Sequence, residues 1–184
     1  NAGGADSLAA GSNARANGAG SIAQGSGALA TSASGIAIGT GAQAGDTIDL
    51  TRVNTIAIGN NARATAQNST ALGDGASAGQ VQATAVGSGA VAGTNGTAVG
   101  RLANAGNSAV AYGVNAAAGF RGTATGQGGD SLGGLVLGHN KSVVRIKCIQ
   151  RKPGRPTLLY TDTIPRAEVA DAAQQGEVLH VARA

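Results

Sequence analysis

The chain is poor in the residues that build an ordinary globular core. Its 184 residues include no Trp, no Met and only three aromatic residues, two Tyr and one Phe. Large apolar and aromatic side chains supply most of the buried volume of globular domains. The sequence therefore argues against a compact domain with a conventional core.

Cysteine and proline are scarce, and both are confined to the C-terminal part. Cys148 is the only Cys, and all three Pro follow residue 138. Disulfides therefore cannot hold residues 1–138, and a single Cys does not indicate a redox compartment. No apolar run is long enough to cross a bilayer, and no signal peptide opens the sequence. We expect either a cytosolic protein or a piece of a longer exported chain.

Net charge is absent from most of the chain. Residues 1–138 contain five Arg, five Asp and no Lys, so the net charge of +4 arises entirely in residues 139–184. The neutral part has neither the basic stripe nor the stacking aromatic residues that nucleic-acid-binding proteins use. We therefore predict no nucleic-acid partner.

What the sequence does contain is 32 Gly and an internal repeat, which is typified by TIAIGNNARA at residues 55–64. The fifth residue of each copy is a marker glycine. Successive markers are 14, 14, 20, 14, 14, 13, 13, 13 and 12 residues apart. The markers are Gly11, Gly25, Gly39, Gly59, Gly73, Gly87, Gly100, Gly113, Gly126 and Gly138.

The repeat keeps its phase along the chain. The residue two places before the marker is Ala in nine of the ten copies and Val136 in the tenth. A composition rich in Gly, Ala and Ser favours disorder and raises accidental matches, but it does not hold a phase from Gly11 to Gly138. The regular aliphatic positions therefore favour an ordered repeat structure.

Each copy is too short for a pair of helices and fits two short β-strands joined at the marker glycine. Before the marker the pattern runs large, Ala, large, and after it Ala, variable, Ala. A period of two puts neighbouring side chains on opposite faces of a strand. Glycine permits a positive φ at the hinge, and turn-forming residues follow it.

The alanine face is predicted to point inward. In the second strand the residue between two Ala varies from Arg15 to Leu29, which indicates exposure to solvent. Copies stacked about 4.8 Å apart would then build a flat, narrow solenoid with parallel strands. If Ala57 faces this interior, its neighbours Ile56 and Ile58 face outward.

The outward side of the first strand would form an apolar stripe along the whole solenoid, more than a soluble monomer leaves exposed. Each ordered residue loses roughly 1–2 kcal/mol of backbone entropy. Burying an Ile or Val side chain returns roughly 1.5–3 kcal/mol, but only if something covers it. The simplest cover is the same stripe of another copy, so we expect a closed homo-oligomer of two or three subunits. The predicted interface residues are Ile36, Ile38, Ile56, Ile58, Leu72, Val86, Val99, Val110 and Tyr112.

These repeats resemble the head domain of trimeric autotransporter adhesins, the YadA-like or haemagglutinin-type surface proteins of Gram-negative bacteria. The similarity lies in the family's repeated unit N-S-x-A-hydrophobic-G, as in NTIAIG at residues 54–59 and NSTALG at residues 68–73. It extends from residue 7 to about residue 138.

The resemblance implies an all-β fold, a left-handed parallel β-roll that assembles as a homotrimer at the bacterial cell surface above the outer membrane. It implies no enzymatic activity and no cofactor. The implied function is virulence-related adhesion to host extracellular matrix, such as collagen, fibronectin or laminin, or to host cells. Because the family's unit is linked to collagen binding, the candidate ligand-binding residues are Asn54, Thr55, Ile56, Ala57, Ile58, Gly59, Asn68 and Ser69. The alternative is that these residues only maintain the roll.

The chain is predicted to divide into two parts. Residues 1–138 would form the head roll, and residues 139–184 an atypical basic tail that is a cap or a foreign or disordered segment. The last two copies lack Ala in their second strand, so we expect the roll to fray near residues 126–138. We recognise no neck, heptad stalk or barrel strands, so membrane attachment would need a missing C-terminal anchor.

Three further predictions concern local segments. The tail carries candidate strands at residues 142–149 and 157–164 and a candidate helix at 166–176. The six-residue excess within residues 45–54 is predicted to be a surface excursion, with a ligand-contacting loop as the alternative. The acidic residues are far apart in sequence, so no metal site is predicted.

Three other functions stay open. A left-handed β-helix acyltransferase also carries aliphatic-Gly repeats, but its coils are built from hexapeptides and it needs a catalytic His, and no His precedes His139. An ice-binding solenoid would need ranks of paired Thr, and within residues 1–138 only Thr123 and Thr125 form such a pair. A structural spacer within a surface fibre would share every feature of an adhesin head except ligand binding.

Overall fold

The protein folds into short β-strands. The computed structural model describes residues 1–46 and 53–131, together with the strand residues 134–139, 142–146 and 163–165. These residues form two sheets and contain no helix. In the repeat region each copy gives its first strand to one sheet and its second strand to the other.

The first sheet has 12 strands. In spatial order they are β1 (Leu8–Ala10), β3 (Ile22–Gln24), β5 (Ile36–Ile38), β7 (Ile56–Ile58), β9 (Thr70–Leu72), β11 (Thr84–Val86), β13 (Thr97–Val99), β15 (Val110–Tyr112), β17 (Gly122–Thr125), β19 (Gly134–His139), β20 (Ser142–Ile146) and β21 (Thr163–Pro165). The second sheet has nine strands, β2 (Arg15–Ala16), β4 (Leu29–Ala30), β6 (Gln43–Ala44), β8 (Arg63–Ala64), β10 (Ser77–Ala78), β12 (Val91–Ala92), β14 (Asn104–Ala105), β16 (Ala117–Ala118) and β18 (Asp130–Ser131).

Equivalent positions of successive copies pair in parallel, which makes the fold a parallel β-solenoid. Ala57 pairs with Ala37 on one side and with Ala71 on the other. The ladder bonds join neighbouring coils, as in the 2.9 Å bond from the Thr70 amide to the Ala83 carbonyl. The predicted parallel solenoid is therefore confirmed.

The interior is built from alanine. Every buried hydrophobic residue in the described part of the chain is an Ala, and most of these residues have no exposed surface. Ala57 of the first sheet and Ala62 and Ala64 of the second lie in one such cluster. The inward alanine face and the narrow interior are therefore confirmed, because a methyl group is the largest apolar side chain among the buried residues that the structure describes.

Two tight turns close each coil, and the third residue of each turn has a positive φ. At the hinge, the Ala62 amide donates to the Gly59 carbonyl over 3.3 Å, and Asn61 has a φ of 52°. At the opposite end, the turn at residues 93–96 has the same closing bond of 2.9 Å, and Asn95 has a φ of 53°. Type II turns require this conformation at the third residue, and Gly and Asn adopt it most readily.

The long spacing between Gly39 and Gly59 does not disturb the ladder. Ile36 pairs with Ile56 across it, and Ala33 forms a parallel bridge with Val53. The ladder is therefore in register on both sides of the insertion. Residues 47–52 of this predicted excursion lie outside the described residues.

The expectation that the roll frays near residues 126–138 is wrong for the ninth copy. Its second strand β18 pairs in parallel with β16, and the inward positions Gly129 and Ser131 are both buried. Glycine and serine are small enough for the space that Ala fills elsewhere. The first strand of the tenth copy, β19, also pairs in parallel with β17.

The parallel pattern ends after β19. β20 runs antiparallel to β19, and β21 runs antiparallel to β20. β20 covers residues 142–146 of the strand predicted at 142–149, and β21 covers residues 163–164 of the one predicted at 157–164. The remaining residues of both predicted strands lie outside the described residues. The predicted helix at 166–176 lies outside the described residues, and a separate C-terminal domain stays a prediction.

Candidate interaction surfaces

The outward side of the first sheet carries two continuous columns of side chains. One column runs through Ile36, Ile56, Thr70 and Thr84, and the other runs through the residues two places later. All nine residues predicted to form the interface lie in these columns and face away from the alanine core. They are half-buried in the single chain, except that Ile58, Val110 and Tyr112 are exposed.

Charge separates the two outer faces of the solenoid. The nine first-sheet strands from β1 to β17 contain no Asp, Glu, Lys or Arg. The outward positions of the second sheet include Arg15, Arg63 and Asp130, all of which are exposed. The first-sheet face is therefore the one that can be covered without removing charges from water.

The marker glycines stack directly on one another at the hinge. Gly73 has a φ of 132°, and a Cβ atom placed on it would lie 2.6 Å from the Gly87 carbonyl carbon. Gly11 makes the equivalent approach to Gly25, at 2.6 Å from the carbonyl oxygen. Two independent constraints, the backbone conformation and the space between coils, thus require glycine here.

The opposite turn holds the residues that resemble the family's N-S unit. Asn54 and Asn68 are exposed, with φ angles of 57° and 54°, and the Asn54 Nδ2 group donates to Asn68 Oδ1 over 3.2 Å. Ser69 is fully buried, and its hydroxyl donates to the Ala66 carbonyl over 2.5 Å. The asparagine therefore fits the left-handed turn position, and the serine fits the narrow interior.

The candidate ligand-binding residues divide by exposure. Thr55, Ala57 and Ser69 have no accessible surface in the single chain, so a ligand on that surface cannot touch their side chains. Asn54 and Asn68 project from one edge. Ile56, Ile58 and Gly59 lie on or beside the apolar face. The structure thus brings two amides together at one edge, and ligand binding itself stays a prediction.

Buried hydroxyl groups surround the point where the excursion leaves the coil. The hydroxyls of Ser32 and Thr55 are hydrogen-bonded to each other, and both side chains are almost fully buried. Thr31 donates to the Asp46 carbonyl over 2.8 Å. The Ser32–Thr55 bond joins the coil before the insertion to the coil after it and so helps to hold the two in register, whereas Thr31 and Asp46 both precede the insertion.

Sequence reasoning missed Phe120. This residue lies in the second turn of the coil that contains Tyr112, and 62% of its surface is exposed, against 59% for Tyr112. The guanidinium carbon of Arg121 lies 5.0 Å from the centre of the Phe120 ring. Its rarity could have pointed to it, because Tyr112 and Phe120 are the only aromatic residues among the first 138.

Neither a metal-binding cluster nor a membrane-spanning helix occurs among the described residues. They bring no three His, Cys, Asp or Glu side chains together in a group that could hold a metal ion. None of their elements is a helix long and apolar enough to cross a membrane.

Comparison with known proteins identifies the repeat. The family model described as the YadA head domain repeat (2 copies) matches residues 2–28, 16–42, 53–76 and 64–90. These matches cover β1 to β5 and β7 to β11 and leave out the excursion. No curated protein matches the chain.

Proposed function

We propose that the chain is the head of a trimeric bacterial surface adhesin, because its residues 2–42 and 53–90 match the YadA head domain repeat. In this proposal the solenoid is a left-handed roll. Three copies stand parallel on the bacterial surface, with their first sheets turned towards a common axis. The head acts by binding host extracellular matrix or host cells and not by catalysis.

The uncharged outward face of the first sheet supports the assembly. A column such as Ile38, Ile58 and Leu72 runs unbroken from coil to coil. A narrow alanine core buries little apolar area for each ordered residue, so covering these larger side chains adds stability that the single roll lacks. Copies related by a cyclic axis cover one another's faces and leave the charged second sheet in solvent.

The outer edges and the second sheet support the adhesive role. In the proposed trimer the second sheet and the outward sides of the edges stay accessible, and they present mixed polar and charged side chains in a periodic array. Asn54 and Asn68 are joined by a hydrogen bond at one edge and offer amide groups to a matrix protein. No enzyme-like arrangement is needed for this role.

Sedimentation of the full chain tests the assembly, and binding to immobilised collagen, fibronectin and laminin tests the adhesion. We expect a species of three chains that binds at least one of these proteins. A folded monomer would contradict the trimer. A trimer that binds neither these proteins nor host cells would instead favour a structural spacer, which uses the same solenoid without a ligand.

Paired substitutions localise the binding without disturbing the fold. Asn54→Gly and Asn68→Gly remove two amides from one edge while keeping residues that tolerate a positive φ. Asn61→Gly and Asn115→Gly make the same change at the hinge turns, where both residues also have a positive φ. Loss of binding in the first pair alone would assign the ligand to the Asn54 edge.

A further inference from the structure

Tyr112 and Phe120 lie on opposite edges of one coil. Tyr112 ends β15 and precedes the hinge at Gly113, whereas Phe120 lies in the turn that returns the chain from β16 to β17. The return turn closes with a 2.9 Å bond from the Gly122 amide to the Gly119 carbonyl. The width of the first sheet separates the two rings within one chain.

Both rings are left largely in solvent by their own chain. They are the two most exposed large hydrophobic residues of the described part, at 59% and 62%. Phe120 stays this exposed although Arg121 lies over its ring. Two largely exposed rings on a roll otherwise without aromatic residues are candidates for contact with another copy of the chain.

Cyclic symmetry supplies that partner. When copies face a common axis with their first sheets, the hinge edge of each copy adjoins the opposite edge of the next copy at the same height. Because Tyr112 and Phe120 belong to the same coil, they differ in height by no more than about one strand spacing, ~5 Å. Aromatic side chains span this offset, since paired rings lie roughly 4.5–7 Å apart between centres.

We propose that Tyr112 of each copy packs against Phe120 of the next copy and so forms an aromatic contact at every corner of the assembly. This inference rests on the proposed trimer and names a contact within it. The contact buries both aromatic residues of the roll at the border of the uncharged face, and buried aromatic residues dominate binding energy in many protein interfaces. Arg121 positions the Phe120 ring by its cation–π contact.

Cross-linking tests the contact directly. In the full chain with Cys148→Ser, the double variant Tyr112→Cys/Phe120→Cys is treated with a short bismaleimide and run on a denaturing gel. We expect covalent trimers as the main product, because each chain would be joined to both neighbours. The matched control Val91→Cys/Phe120→Cys, which moves one thiol to the outer face of the second sheet, should stay monomeric on the gel.

The outcomes distinguish a failure of the Tyr112–Phe120 contact from a failure of the proposed trimer. If the double variant sediments as a trimer but is not linked, the Tyr112–Phe120 contact is wrong and the proposed assembly stands. If the parent chain sediments as a folded monomer, the proposed assembly and the contact both fail.

A second measurement decides the matter if the double cysteine variant does not fold. Tyr112→Ala and Phe120→Ala should each raise the concentration at which the trimer dissociates by at least about tenfold, as expected for an interface hot spot. The double variant should be no weaker than the more affected single variant, because both changes remove the same contact. Independent effects that multiply would overturn the contact.

Discussion

Asn54 lies one coil from Asn68, and its side-chain amide donates a 3.2 Å hydrogen bond to the side-chain carbonyl of Asn68. The two residues hold the same turn position, and both have a positive φ. Asparagine is the residue with a Cβ atom that adopts this conformation most readily. The turn conformation and this hydrogen bond are a structural reason for Asn at the start of the N-S-x-A-hydrophobic-G unit. This reason does not depend on ligand binding.

The same turn position predicts a stabilising substitution. Gln82 follows Asn68 in this column and has a φ of 56°, although glutamine is not favoured there. Gln82→Asn should therefore raise the free energy of unfolding, by about 1 kcal/mol or less. Chemical denaturation measures the change. The reverse substitution Asn68→Gln is the matched control, and it should destabilise the fold by a similar amount.

Replacing a marker glycine should be far more harmful than replacing a turn glycine. In Gly73→Ala the new Cβ would meet the Gly87 backbone, which cannot move without breaking the ladder. We expect a loss of roughly 2–3 kcal/mol or more. Gly75→Asn is the control, because a Cβ at Gly75 meets nothing within 4 Å and its φ of 63° suits Asn. Thermal unfolding measures the stability of both variants. Equal losses for Gly73→Ala and Gly75→Asn would contradict the stacking argument.

The alanine interior should reject larger side chains. Ala71 is fully buried between the two sheets, so Ala71→Leu should cost roughly 1–3 kcal/mol or prevent folding, since overpacking strains a narrow core. Ala117 occupies an outward position on the second sheet and is only half-buried. Ala117→Leu should leave the free energy of unfolding within about 0.5 kcal/mol of the parent. Circular dichroism during denaturation compares the two.

Introducing one carboxylate on each outer face tests which of the two faces forms the interface. Ile58→Asp places a carboxylate on the proposed interface, where burial without a partner is costly. We expect sedimentation to show dissociated chains for this variant. Arg63→Asp introduces the same residue on the second sheet of the same coil, where Arg63 is exposed, and should leave the trimer intact. A trimer that tolerated Ile58→Asp would argue against the first sheet as the interface.

The buried hydroxyl pair of Ser32 and Thr55 predicts that removing one hydroxyl lowers the free energy of unfolding. Thr55→Val keeps the shape of the side chain but removes the hydrogen bond with Ser32, so it should cost about 1–3 kcal/mol. Thr40 is exposed in a hinge turn, and Thr40→Val should change stability little. The difference between the two variants in urea denaturation measures the contribution of the hydroxyl contact.

Much of the architecture was readable from the chain because the repeat is strictly periodic. The alternation around Ile56, Ala57 and Ile58 assigned each residue to a face, and the structure has Ala57 inside and the two Ile outside. The parallel register followed from the fixed phase of the marker glycines. What failed was the expectation that the ninth copy would fray, because Gly129 and Ser131 were judged as departures from Ala and not as side chains of sufficiently small volume.

The candidate site was less predictable. Sequence similarity proposed a continuous run from Asn54 to Gly59, and only the folded coil reveals that alternate members of the run point into the core. Phe120 was missed because it lies outside the repeated strand pattern. Its relation to Tyr112 depends on where the two turns lie around the coil, which periodicity alone does not give.

The sequence by itself determined the all-β repeat, the alanine interior, the glycine hinge and the outward apolar stripe, since each follows from local alternation and side-chain volume. The tertiary structure decided the rest. It showed that the glycines stack on one another's backbones, that a buried hydroxyl pair joins the coils on either side of the insertion, and that the ladder turns antiparallel after β19. The first two features depend on contacts between residues of neighbouring coils, and the third depends on how β20 pairs with β19, so local alternation sets none of them.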